Sequence, residues 1–321
     1  MNQSTKSNAG ARLAGRTVIL TGAAGNIGAH ISRVLLREGA NVVMTGRNRE
    51  KLDAFVRTLT GEGYDAGAMH AVTGDSADPE AGRTVVAEAV ERFGRLDVLI
   101  NNAGGAGPKQ TLQKIPFTAA EAKATGDGET MFEAAMNLLG GPWNMSRAAV
   151  PHLAPGGAIL NVSTIFSRTP YFGRIPYAVP KSGLNAFSQG LAEELGGGER
   201  GIRVNTVYPG PIESERIEMV FSSMDSLQNL EPGSTAARFK GLMLNRRPDA
   251  DGSMSFIYPT PDDVANTLLW LSSTEADAFS GQSLEEIARM LAAAQSRSKL
   301  VSWPDNRLTD LPGRGVMVLD G

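Results

Sequence analysis

Residues 16–40, RTVILTGAAGNIGAHISRVLLREGA, limit the fold of this chain more than any other stretch. A β-branched run from Thr17 to Ile19 ends in Gly22, and Ile27, Ile31, Val34 and Leu35 follow at helical spacing. The pattern is strand, glycine turn, amphipathic helix. The unit recurs. NVVMTG (41–46), LDVLINNAG (96–104), AILNVST (158–164) and IRVNTVYPG (202–210) read as strands, and TVVAEAVERFG (84–94) reads as a helix. Leu184, Phe187, Leu191 and Leu195 mark one face of a further helix. Short apolar strands alternating with such helices give a parallel sheet covered on both faces, with ligands beyond the carboxyl ends of the strands. The expected class is therefore α/β, a doubly wound parallel sheet over residues 12–288, with a disordered tail at 1–11 and an extension or linker at 289–321.

Two segments are too long for ordinary connections, 105–130 and 211–258, and both follow strand ends, where they are expected to fold over a site. Met219, Met224 and Met243 are expected to pack such a cover rather than to bind a ligand. Near the end, GRGVMVLDG (313–321) repeats the shape of GRTVILTG. It reads either as the first strand of another nucleotide-type fold downstream or as a last strand of this sheet.

Composition narrows the function. With 321 residues, 41% of them hydrophobic, the chain can bury a large core, and a net charge of −3 argues against a nucleic-acid surface. The absence of cysteine excludes disulfide and thiolate chemistry and suits a reducing compartment. No apolar run approaches the ~18 residues of a membrane span. A soluble, cytoplasmic protein without a membrane partner is the expectation.

In TGAAGNIG, Gly22 permits a sharp turn and Gly28 permits close helix packing. Gly25, Asn26 and Ile27 open the helix, whose free N–H groups suit a pyrophosphate. At the end of the second strand, Gly46 stands where a carboxylate would meet a ribose 2′-hydroxyl, and Arg47 lies beside it. A 2′-phosphate, hence NADPH, is the expected cofactor. Asp75 is expected either to touch the adenine edge or to cap a helix with Pro79.

NVSTIFSRTPYFGRIPYAVPK (161–181) holds the chemistry. Tyr177 and Lys181 are four apart and share a helix face. Free tyrosine ionises near pH ~10. An ammonium ~5 Å away favours the phenolate by roughly 3 kcal/mol at an effective dielectric of ~20. Pro180 fits a helix in its first turn, which sets Tyr177 at the helix start. A hydroxyl at the end of NVST can polarise a carbonyl oxygen that the tyrosine protonates.

These residues resemble the short-chain dehydrogenase/reductases, a Rossmann-type family. The likeness runs from about 12 to 283 through TGAAGNIG, NNAG (101–104), Asn137 in MNLLG, YAVPK and YPG (208–210). It implies that Tyr177 is the proton donor, that Lys181 assists it and holds the nicotinamide ribose, and that Asn137 supports a water relay. It also implies that Asn101, Ala103 and Gly104 line the cofactor cleft, that Pro209 and Gly210 border it, and that the protein forms a homodimer. The family's serine position falls on Thr164, so Thr164 or Ser163 is the expected polariser. The family's final Asp-Gly-Gly strand is replaced by SLEEIARML, which leaves the last edge of the sheet open.

A narrower likeness, in NVSTIFSR, YFGRIPY and RVNTVYPGPIESERI, is to the amino-terminal region of the bifunctional malonyl-CoA reductases. It implies reduction of malonate semialdehyde to 3-hydroxypropionate, with downstream reductase domains of the same polypeptide acting on malonyl-CoA. That substrate carries a carboxylate, for which Arg168 or Arg174 is the candidate anchor, unless they pair with Glu213 and Glu215. A reductase of another ketone or aldehyde, 3-oxoacyl substrates included, and a non-catalytic cofactor-binding domain are the alternatives. The whole Tyr177/Lys181 pair speaks against the second. His70 and His152 lack metal-ligand spacing, and no metal is expected.

Overall fold

A computed structural model describes residues 11–105, 111–116, 118–125, 130, 133, 135–168, 170–212, 214–242, 246–248, 253–256 and 259–285. The segments 1–10 and 286–321, with the expected tail, the extension and GRGVMVLDG, lie outside the described residues, as do Glu213 and Met243.

The chain alternates strand and helix from its start. β1 (Thr17–Thr21), α1 (Asn26–Arg37), β2 (Asn41–Gly46), α2 (Arg49–Gly61), β3 (Met69–Thr73), α3 (Pro79–Phe93) and β4 (Leu96–Asn101) form the first half. α4 (Ala119–Thr125) and a wide π-type turn (Met136–Gly140) lead into α5 (Gly141–Ala149), β5 (Leu153–Val162), α6 (Ile175–Gly196) and β6 (Arg203–Tyr208). Then come α7 (Glu215–Gln228), α8 (Ser234–Leu242), a small antiparallel pair of β7 (Arg246–Pro248) and β8 (Met254–Phe256), α9 (Pro261–Ser272) and β9 (Ser283–Glu285).

Seven strands form one parallel sheet in the order β3-β2-β1-β4-β5-β6-β9. The edge left open by the sequence is closed: Ser283, Leu284 and Glu285 pair with Thr206, Val207 and Tyr208. The exposed backbone of β6 accepts a short strand without needing the Asp-Gly-Gly pattern.

Alternation of side chains splits the core into two layers. Val18 and Leu20 of β1 face the layer with Ile31 and Leu35 of α1 and Val264 and Leu268 of α9. Ile19 faces the other, with Val85 and Val86 of α3, Met145 of α5 and Ala192 of α6. A Leu or Val buried in this way contributes about 1.5–3 kcal/mol, so both faces of the sheet need their helices.

α6 begins at Ile175 with Pro176 in its first turn, so Tyr177 is also in that turn. Pro180, however, lies inside the helix rather than at its start, which corrects the expectation. Pro176 already occupies the start, where a missing N–H costs nothing, and it carries the helix forward past Pro180.

Candidate active site

The carboxyl ends of the strands border a cleft of about 530 Å³. Its first wall is the glycine turn. Gly22 has φ +68, and a Cβ there would lie 2.9 Å from Ala103 Cα; at Gly28 a Cβ would lie 2.1 Å from the Gly22 carbonyl oxygen. Neither position can carry a side chain without moving the backbone. Gly25 is the N-cap of α1, and Asn26 and Ile27 form its first residues; all line the cleft.

The β4 loop is tied to this turn by Thr21, whose Oγ1 accepts from the amides of Asn102 (3.0 Å) and Ala103 (2.9 Å). Asn102 Nδ2 in turn donates to the Thr21 carbonyl at 3.1 Å. Asn102, Ala103 and Gly104 line the cleft. Asn101 does not, which corrects its expected place. Asn101 is 1% exposed, and its Nδ2 donates to Asn161 Oδ1 at 2.9 Å, beneath the floor. It closes β4 as a buried strand residue facing β5, whereas Asn102 stands in the loop.

Arg47 and Lys51 both border the cleft beyond β2, Arg47 exposed and Lys51 in the first turn of α2. Sequence reasoning missed Lys51, although its place four residues after Arg47 was available as a signal. Asp75 also lines the cleft; its carboxylate accepts from the Ala77 amide at 3.0 Å. The helix cap beside Pro79 is Asp78, which accepts from Glu80, so the capping role does not fall on Asp75.

Ser163, Thr164, Asn137, Tyr177 and Lys181 meet in the other half of the cleft, near Pro209 and Gly210. Lys181 is 4% exposed and its ammonium donates to the Val162 carbonyl at 2.6 Å, which fixes the cation at the end of β5. Ser163 and Thr164 differ in their bonds. Ser163 Oγ donates to Asn185 Oδ1 at 2.6 Å, and Asn185 Nδ2 donates to Ser167 Oγ at 2.8 Å. Thr164 Oγ1 accepts from the Phe166 amide at 3.3 Å. Asn185 and Ser167 were not foreseen. Asn137 sits on the π-type turn, a distortion frequent at functional sites.

The two loop arginines part company. Arg168 is exposed, with its guanidinium 5.3 Å from the centre of the Tyr208 ring, and it is not among the residues lining the cleft, so it is dropped as a substrate anchor. Arg174 is 3% exposed, lines the cleft, and sits 4.9 Å from the centre of the Tyr177 ring. As N-cap of α6 it is held in place by the helix that carries Tyr177.

The segment after β6 covers this half of the cleft. Ile217 and Val220 of α7 line it. Behind them Val220, Phe221 and Met224 of α7 and Phe239 of α8 pack on Phe166, Tyr171 and Tyr177. Burial pushes the Tyr171 phenol above its usual range, against the opposing effect of Arg238. Of the methionines, Met224 packs this cover and Met219 is exposed. His70 is bound to Glu88 at 2.7 Å.

A family description of the short chain dehydrogenases matches residues 16–224. The chain belongs to the short-chain dehydrogenase family. This short-chain dehydrogenase is 35% identical to the L-fucose dehydrogenase of Oryctolagus cuniculus over 63% of its own length and 65% of that protein's. Among solved structures it resembles the N-domain of a bacterial malonyl-CoA reductase with NADP, at 46% identity and a TM-score of 0.80. That match covers 85% of this chain and 51% of the other, so the chain spans about half the length of that relative. A short-chain dehydrogenase from Burkholderia cenocepacia in complex with NADP has a TM-score of 0.65 and 30% identity, covering 85% of this chain and 97% of its own.

Proposed function

We propose that this short-chain dehydrogenase uses NADPH to reduce malonate semialdehyde to 3-hydroxypropionate. The observation that carries the reading is Arg174, a buried guanidinium that borders the cleft against Tyr177. A small aldehyde bearing a carboxylate would bind the arginine at one end and meet Tyr177 with the other. The likeness to the malonyl-CoA reductase N-domain supports the same substrate.

The cleft fits the dinucleotide. Gly22 and Gly28 keep clear the space that a side chain would fill, and the open first turn of α1 suits a pyrophosphate. Arg47 and Lys51 suit a 2′-phosphate. Asp75 is assigned to the adenine side, and Ala103, Gly104, Pro209 and Gly210 to the nicotinamide side. NADPH, when bound, supplies the hydride.

The remaining steps belong to the chain. Tyr177 gives its proton to the carbonyl oxygen as the carbonyl carbon takes the hydride, and the aldehyde becomes a primary alcohol. Thr164 donates to the same oxygen, while Ser163 holds Asn185 and orders the floor below it. Lys181, fixed by Val162, favours the phenolate left on Tyr177 and holds the nicotinamide ribose. Asn137 supports the water route by which Tyr177 regains a proton. We also assign exposed Trp143 of α5 and Val179 of α6 to a homodimer interface, and downstream reductase domains to the same polypeptide.

The test is consumption of NADPH by the purified chain on addition of malonate semialdehyde, read at the nicotinamide absorbance band, with the product identified. Consumption matched by 3-hydroxypropionate is expected. Its absence, with active turnover of a 3-oxoacyl substrate instead, overturns the assignment.

A further inference from the structure

Arg174 and Tyr177 are three residues apart in the opening of α6, and the Arg174 carbonyl accepts the amides of Tyr177 (3.1 Å) and Ala178 (2.8 Å). The backbone therefore keeps the guanidinium against the phenol ring, 4.9 Å from its centre. A cation at this distance is attracted by the ring and favours its ionised form. Lys181, one turn further along the same helix, acts in the same direction. Two cations on one phenol raise a difficulty for a proton donor, because a group that has already lost its proton cannot give one.

Other charged groups are placed differently. Arg47, Lys51 and Asp75 border the cleft from the ends of β2 and β3, and β1 and β4 separate β2 from β5. On the aromatic side, Tyr171 packs near Tyr177, and Arg238 of α8 acts on Tyr171. On α7, the residues reaching the cleft are Ser214, Ile217 and Val220, none of them charged. Among the described side chains, the cation against the Tyr177 ring is that of Arg174, and an anion bound to it would lie within reach of the phenol.

We propose that the substrate's carboxylate is a switch for the proton donor: bound to Arg174, it offsets the guanidinium and keeps the Tyr177 hydroxyl protonated until the carbonyl oxygen takes its proton. The acid group then serves the proton step as well as binding, so a neutral aldehyde of the same size is a poor substrate even at saturation. No additional reactant is needed, since the proton passes from phenol to carbonyl oxygen as in the reduction above. This inference rests on the reading of Arg174 as the carboxylate anchor.

The experiment uses malonate, an unreactive dicarboxylate, on the chain saturated with NADP. Tyr177 is titrated by its phenolate absorbance, taken as the difference between the parent and Tyr177→Phe, while calorimetry follows malonate binding. In the parent, malonate is expected to move the titration to higher pH by about one unit, the effect of one partly screened charge at ~5 Å. Arg174→Gln is expected to titrate higher without malonate and to ignore it, and Arg174→Lys to regain part of the response. Malonate that binds to the parent without moving the titration overturns the switch and leaves the anchor standing. Malonate that fails to bind, or binds Arg174→Gln equally well, overturns the anchor and the switch with it.

Discussion

Tyr177, Arg47 and Lys51 each make a claim that a single side chain can test. Removing the Tyr177 hydroxyl leaves the ring to pack on Phe166, with which it forms an edge contact at 6.5 Å between ring centres. Tyr177→Phe should therefore fold as the parent and bind NADPH as well, yet lose roughly 10²–10⁴-fold in kcat/KM, the span typical for a positioned acid. Fluorescence titration with NADPH separates the two effects. Arg47 and Lys51 test the cofactor. A charge-assisted bond is worth about 1.5–3 kcal/mol, or roughly 10–100-fold in affinity. Arg47→Ala and Lys51→Ala should each weaken NADPH by that order while leaving NADH unchanged, as measured by the ratio of KM values. Equal losses for both cofactors would mean that neither cation meets the 2′-phosphate. Arg47 was legible because strand two ends beside it. Lys51 was not, because a lysine on the first turn of a helix is an ordinary surface residue until the cleft is seen to open beside it.

At the scale of elements, the cover over the catalytic half depends on how α7 and α8 are joined. Asp225, 3% exposed, accepts from the amides of Gly233 (2.8 Å) and Thr235 (2.7 Å) at the start of α8. Hydrogen bonds from Thr235, its side chain first, and from Gly233 hold the carboxyl below the usual carboxylate range, against the opposing effect of burial. With its folded value depressed, its contribution is complete above the unfolded carboxylate range near pH ~3.9. The contribution is lost as pH falls through the folded value. Acid should thus loosen α7 and α8 before the sheet, seen as loss of near-ultraviolet aromatic circular dichroism ahead of the far-ultraviolet signal. In Asp225→Asn the aromatic signal should weaken already at neutral pH, because the amide group turns a donor toward an N–H. An unaltered signal would remove Asp225 as the joint. None of this was readable in the sequence, where 211–258 appeared only as a long segment after a strand. The alternating core was readable because β-branched runs and helical spacing report burial directly. Three-residue β9 was not, since its pairing answers the open edge of β6 rather than a pattern of its own. Asn101 and Asn102 could not be separated by motif, because one step along the chain moves a side chain from the buried end of a strand to the cleft. Six residues of loop likewise left Arg168 and Arg174 equivalent until α6 fixed Arg174 as its cap.

Across the whole molecule the two ends of the sheet are built for different purposes. The carboxyl ends hold mobile chemistry in a cleft, while the amino ends are pinned by charge. Arg203 opens β6 at 4% exposure and donates to the carbonyls of Leu271 (3.0 Å) and Ser273 (3.3 Å), the last turn of α9. Arg16, just before β1, donates to Ser272 between them at 3.0 Å. Asp97 of β4 accepts from the Thr17 amide at 2.9 Å and from Arg95. Two cations thus satisfy the carbonyl end of α9, the helix that packs against α1, and burial holds the Arg203 guanidinium below its ordinary range even with Asp277 nearby. Losing Arg203 leaves two carbonyls at a helix end without their donor, and an unsatisfied buried group costs about 1–3 kcal/mol. Arg203→Met, which keeps most of the volume, should lower unfolding stability by about 2–4 kcal/mol on that basis, measured as a shift in the denaturant midpoint. Because this end lies opposite the cleft, KM for NADPH in the folded fraction should stay within twofold of the parent. A variant with an unchanged midpoint would show that Arg16 alone holds the end of α9. One with a disturbed KM would show that the two ends of the sheet are coupled.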